Sequence, residues 1–344
     1  MKVTIRLLLL LTGLAIFGWF VHRADPREIG ATLGLLGWLA PLVLVPYAFV
    51  YAVDTWGWLF AFGREFPASL SYRELFRIRW MGEAVNNVAP TAFIGGEAVK
   101  VYLLHKRGFS SSEVTASVVI GKTLQFLAHL LFLTMGAIAS FQLLEKSLGS
   151  AMIVAILLVA GLVIGLFALQ RHGLFAAAFA LLDRMRIHWK KLEEHRASLL
   201  RVDRRILEFY RTERGHFWAS LVAFAGGWLL DTLEILLVAH LMGIPMSWLQ
   251  ALVIEAFIGV AKGIGILTPG AIGIQETGIV LLCRFAGLPE AFGIAYAILR
   301  RGREVLYAGA GWLMIFYEES NVSGLASRIL QSRREPPPAA GRHP

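Results

Sequence analysis

Residues 84–104 read AVNNVAPTAFIGGEAVKVYLL, and residues 251–282 read ALVIEAFIGVAKGIGILTPGAIGIQETGIVLL. Both stretches are apolar overall, yet each is broken where a membrane helix needs an uninterrupted run. In the first, Asn86 and Asn87 lead to Pro90, and Gly95 and Gly96 precede Glu97. In the second, Thr268, Pro269 and Gly270 lead through Gly273 to Gln275 and Glu276. A mid-span proline frees backbone groups that lipid cannot satisfy, so such backbone persists only inside protein or along a wet cavity. We read both stretches as re-entrant hairpins, each entering and leaving on one side.

The surrounding chain supports a membrane setting. Of 344 residues, 57% are hydrophobic and 17% charged, with a mean hydropathy of +0.63. Soluble domains carry roughly 25% charged residues, so this composition excludes a soluble enzyme, a disordered protein and a nucleic-acid-binding module. Apolar runs of spanning length lie at 39–62, 114–143, 150–169, 217–242 and 291–316. Each has the ~20 residues needed to cross the hydrocarbon core. A shorter run at 7–21 ends in His22-Arg23 rather than a small-residue cleavage site, and reads as a retained first helix. The expected fold is therefore all-α, a polytopic transmembrane bundle of residues 1–330, with a disordered cytoplasmic tail at 331–344. The lone Cys283 forms no intrachain disulfide and no CxxC metal site.

The formal charge of +9 comes from 33 Lys+Arg against 24 Asp+Glu. Its basic excess lies in loops between apolar runs, where it sets orientation and meets lipid head groups. Residues 171–215 hold the densest set and should be a cytoplasmic amphipathic linker along the membrane surface. Threading outward from it places 64–79, 100–107 and both termini on the cytoplasmic side of a bacterial inner membrane.

A duplication organises the chain. A shift of 179 residues superposes Pro90 on Pro269, Glu97 on Glu276, Gly108 on Gly287, Lys122 on Arg301 and Gln125 on Glu304. Asp54-Thr55 meets Asp231-Thr232 at a shift of 177, and Pro67 meets Pro245 at 178. Unit one covers about 39–143 and unit two about 217–317. One extra helix separates them, so the second unit should be inverted relative to the first. Inverted repeats with discontinuous helices are common in alternating-access transporters.

Charges are costly inside a membrane and mark function when they occur there. Lys122, Arg300, Arg301 and Arg303 fall deep in their spans, with Gln125 and Glu304 beside them. Guanidinium forks and ammonium point charges suit an anionic head group; the bland reading makes them counter-ions to Glu97 and Glu276, with Arg303–Glu304 as one internal pair. Asp54, Asp231, Glu234, Glu255 and Lys262 read as intramembrane support. His188 and His195 have no metal spacing, and 259–273 lacks a phosphate-loop arrangement, so no cofactor is expected.

The two Pro/Gly/Glu signatures resemble the flippase-like membrane domain that precedes the catalytic part of lysylphosphatidylglycerol synthases and also stands alone in many bacterial proteins. The likeness covers about residues 5–320. It implies lipid movement between leaflets, with Pro90, Glu97, Lys122, Pro269, Glu276 and Arg301 in a central cavity. Stand-alone members are similar to a protein associated with hopanoid biosynthesis. No aminoacyl-transferase domain follows the membrane region, so lysyl transfer is not implied. The expectation is a transporter rather than an enzyme, with a membrane lipid as its substrate. A membrane-embedded transferase on lipid-linked head groups, or a scaffold for a lipid-synthesis enzyme, remain as alternatives, and a homodimer stays open.

Overall fold

The computed structural model describes residues 26–88, 95–140, 146–185, 194, 196–265 and 271–332. Every regular element among them is helical. The expected helix at 7–21, the residues His188 and His195, and the tail beyond 332 lie outside the described residues.

A short helix α1 (Pro26–Gly34) leads into a 3-10 turn (Gly37–Val43) and α2 (Leu44–Phe60). Pro41 sits inside the 3-10 turn and Pro46 in the first turn of α2, where a missing N–H costs little. Then come α3 (Tyr72–Val88), α4 (Gly95–Lys106) and α5 (Ser111–Ser140). Helices α6 (Lys146–His172), α7 (Leu174–Arg184) and α8 (Arg196–Thr212) connect the units. The described part of the chain ends with α9 (Arg214–Leu241), α10 (Trp248–Ile264), α11 (Ile274–Phe285) and α12 (Glu290–Ser332).

Gly37–Phe60, α5 and α9 are long and apolar enough to cross a membrane. The pair Ile156–Gln170 and Leu174–Arg184, bent by 83°, makes a fourth if counted as one span. The expected span at 150–169 is thus the first limb of a bent helix. The run at 291–316 is helical throughout, but Arg300, Arg301, Arg303 and Glu304 fall within about one turn and hold it below that apolarity.

Both broken stretches are flanked by short helices. Residues 89–94 and 266–270 fall outside the described residues, and with them Pro90, Thr268, Pro269 and Gly270. Helices α4 and α11 have 12 residues each, about 18 Å, too short for a ~30 Å hydrocarbon core. Each packs on its hairpin partner, α4 on α3 and α11 on α10. A Cβ on Gly96 would overlap the Gly82 carbonyl and the Asn86 amide, so the first hairpin closes only over glycine. The second closes over Gly278, where a Cβ would lie 2.7 Å from that of Ala261.

The two Asp-Thr helices, α2 and α9, pack along each other at the centre. Around them the contacts cross: α12 lies on α3, and α5 lies on α10. Glycines set both crossings, with Gly311 against Ala84 and Gly136 against Ala256. The indole of Trp80 donates to the Tyr307 carbonyl at 2.8 Å across the first. His129 stacks on Trp228 beside the second, ring centroids 4.3 Å apart.

The same helix-ending turn recurs at Gly108 and Gly287, and also at Gly243. The turns at Gly108 and Gly287 both have positive φ, 89° and 77°. At each, the glycine N–H donates three residues back (Gly108 to His105, Gly287 to Arg284) and the next N–H five back (Phe109 to Leu104, Leu288 to Cys283). This is the glycine-terminated helix end that only a residue tolerant of left-handed φ adopts cheaply.

Within the linker, α8 has an apolar stripe that packs on protein. Val202, Ile206 and Phe209 of α8 are buried in the same cluster as Leu124 and Phe224, and Asp203 accepts from the Phe175 and Ala176 amides to cap α7. Its apolar stripe is therefore satisfied by protein.

Candidate functional site

Helix periodicity brings charged side chains from α2, α3, α4 and α5 into one closed circuit. Arg79 donates to Asp54 at 2.5 Å and lies 3.8 Å from Glu83. Glu83 accepts from Lys100 at 2.8 Å, and Lys100 donates to both oxygens of Glu97 at 3.1 Å. Glu97 pairs with Lys122 at 2.9 Å. Lys122 then donates to Gln125 at 3.2 Å, whose amide returns to Asp54 at 3.3 Å. Acids and bases alternate, so each charge removed from water meets an opposite one. Asn86 ties the hairpin shut, accepting from the Gly96 amide at 2.8 Å and donating to Glu97 at 3.4 Å. Asn87 sits half-buried beside it.

This circuit faces a small, partly open cavity lined by Arg79, Glu97, Lys100, Lys122 and Gln125, with apolar walls from Trp58 and Phe224. The Lys100 ammonium lies 5.6 Å from the Trp58 ring centroid.

Unit two repeats two of these contacts. Arg301 pairs with Glu276, as Lys122 does with Glu97, and reaches its i+3 neighbour Glu304 at 2.9 Å, as Lys122 reaches Gln125. Glu276 also accepts from the Gly273 amide at 2.6 Å, capping α11. Glu304 further accepts from Gln275 at 3.0 Å and Lys262 at 3.4 Å. Arg300 grips Glu255 with two bonds of 2.7 Å and donates to the Tyr296 hydroxyl at 2.9 Å. Arg303 meets Glu234, lies 4.0 Å from Asp231, and covers the Tyr47 ring at 3.6 Å.

Three findings correct the reading of the sequence. Arg303 and Glu304, adjacent in sequence, do not pair with each other, because neighbouring helical residues point about 100° apart. Arg300 and Arg303 are buried, 6% and 1% exposed, in carboxylate contacts, whereas Lys122 and Arg301 are the more open cations. Arg79 and Lys100, counted with the cytoplasmic loops, are buried at 5% and 2%. Their signal was present: Arg79 precedes Glu83 by four residues and Lys100 follows Glu97 by three, spacings that put opposite charges on one helix face.

A second cleft opens between the end of α2, the start of α5, and α8. Its rim is cross-paired, Arg64 to Glu213 at 3.6 Å and Arg205 to Glu113 at 3.7 Å.

Residues 3–311 match a family model described as the lysylphosphatidylglycerol synthase TM region. A UPF0104 membrane protein of Methanothermobacter thermautotrophicus is 24% identical over 308 residues, covering 86% of this chain and 89% of that protein. No solved structure matches.

Proposed function

This chain belongs to the family of the lysylphosphatidylglycerol synthase transmembrane region, and on that premise we propose that it moves an anionic or modified lipid between membrane leaflets. The observation that carries the proposal is the pair of matching contacts, Lys122–Glu97 and Arg301–Glu276, each at the start of a short helix after a broken stretch. Water-excluded charges that can trade partners offer a head group a polar path while its acyl tails stay in lipid. The crossed packing of α12 on α3 and α5 on α10 supports units of opposite orientation, one hairpin serving each face. The basic loops then put both termini on the cytoplasmic side of the inner membrane.

Reconstitution into liposomes with a fluorescent anionic lipid, quenched from outside, tests this. Purified protein should speed leaflet exchange. In forms that still fold, Arg301→Ala should slow it about tenfold or more by losing one charge-assisted contact, and Glu97→Gln should slow it similarly by removing the acid with which Lys122 trades partners. No acceleration by the unaltered protein overturns the transport reading. Unchanged exchange in both variants overturns the site. The family description contains the word synthase, which favours a second reading as a transferase on lipid head groups. Product formation from purified protein and lipid donors, read by mass spectrometry, would select it.

A further inference from the structure

We propose that the unit-one cavity is built for a phosphate group and that Glu97 holds the place of that phosphate until it arrives. The inference rests on the transport reading and names the chemistry its site takes. Glu97 is the only acid of the circuit that bridges two ammonium groups, Lys100 and Lys122, and also lines the cavity. A carboxylate accepting from two cationic donors occupies the position a phosphate oxygen pair would take. Asp54 and Glu83, by contrast, sit behind Arg79 and Lys100 and do not line it.

The groups facing Glu97 set the charge balance. Helix α3 contributes Arg79, Glu83 and Asn86, α4 contributes Lys100, α5 contributes Lys122 and Gln125, α2 contributes Asp54, and α9 contributes the apolar Phe224. Three bases face three acids, so the circuit by itself is neutral. A phosphodiester brings one negative charge. Neutrality returns when the displaced Glu97 carboxylate takes up one proton and turns toward Asn86. Binding is therefore coupled to one proton, held on Glu97. The second unit does not share this design at its deepest cations: Glu255, which grips Arg300, and Glu234, which meets Arg303, are both fully buried.

Titration calorimetry on the purified full chain in detergent tests the idea. Probes are dihexanoyl phosphatidylglycerol, inorganic phosphate, and dihexanoyl glycerol as the phosphate-free lipid. The diester should bind, with affinity falling up to about tenfold per pH unit as pH rises and one proton taken up per molecule. Glu97→Gln should bind it at least about tenfold more tightly at neutral pH, with the pH slope gone. Lys122→Ala should weaken it about tenfold or more. If inorganic phosphate binds with the same pH slope, free phosphate is a ligand in its own right; if only the diester binds, the lipid head group is the source, and both outcomes support the cavity. Equal binding of dihexanoyl glycerol, or weaker or unchanged diester binding by Glu97→Gln, overturns it. Should Glu97→Gln fail to fold, Glu97→Asp shortens the bridge while keeping the charge. The same titration then expects tighter binding than the parent with the slope retained, and parent affinity overturns the proposal. Proton-linked binding without leaflet exchange would remove the transport reading and leave the site. Exchange without proton-linked binding would do the reverse.

Discussion

Arg300 and Glu255 show what a buried pair costs and what it fixes. Glu255 is fully buried and accepts two bonds of 2.7 Å from a guanidinium that is 6% exposed. Removing one partner strands the other charge away from water, so Glu255→Gln should destabilise the protein by about 3–5 kcal/mol. Replacing both, as Arg300→Met with Glu255→Leu, should recover most of that loss, because two well-packed apolar groups avoid the desolvation cost. Thermal unfolding in detergent compares the two; a single variant as stable as the parent would show that the pair is solvated. At this scale the chemistry was partly readable. Glu97, Lys122, Glu276 and Arg301 stand out as charges in apolar runs, whereas Arg79 and Lys100 look like loop residues until the fold buries them.

Each hairpin begins with the same local device. Ser71 and Glu74 exchange bonds at the start of α3, Glu74 accepting from the Ser71 amide at 3.1 Å and donating its own N–H to Ser71 Oγ at 3.3 Å. Ser247 and Gln250 do the same at the start of α10, at 2.8 and 3.2 Å. Losing either cap as Ser71→Ala or Ser247→Ala should cost about 1 kcal/mol, read as faster hydrogen exchange in that helix alone; exchange spread evenly over the molecule would contradict it. The bonds from Ser71 hold the Glu74 carboxyl below its ordinary range. A lowered acid stabilises above its unfolded pKa and loses that contribution as pH falls through the folded one. The α3 cap should thus weaken below about pH 4, while the Gln250 cap, with nothing to titrate, should not. A second weak point is Gly96: Gly96→Ala forces a Cβ onto the Gly82 carbonyl and should loosen α4 from α3. Proteolysis confined to the hairpin would show this. The capping pattern Ser-x-x-Glu/Gln is legible in sequence; that Gly96 meets Gly82 is not.

For the whole molecule, the proposed opposite orientation of the units has the widest consequence. Arg64 is 81% exposed at the end of α2, and Pro245 lies in the loop between α9 and α10. If the units are inverted, Arg64→Cys should react with a membrane-impermeant maleimide only in inverted vesicles, and Pro245→Cys only in intact cells. The native Cys283 is fully buried and stays silent. Labelling of both sites from one face would refute the inversion and, with it, one hairpin serving each face.

Composition and pattern by themselves determined the membrane class and the all-helical fold, because hydropathy, proline and glycine act locally along the chain. Partner choice was decided only in three dimensions. Arg303 faces Glu234 rather than Glu304, α8 turns its apolar stripe onto protein, and Lys100 closes a circuit with residues of α3 and α5. Charge pairing in a low-dielectric interior is set by which helix faces meet, and those faces are chosen by long-range packing over small residues such as Gly136 and Gly311, where no single stretch of sequence holds both sides of the contact.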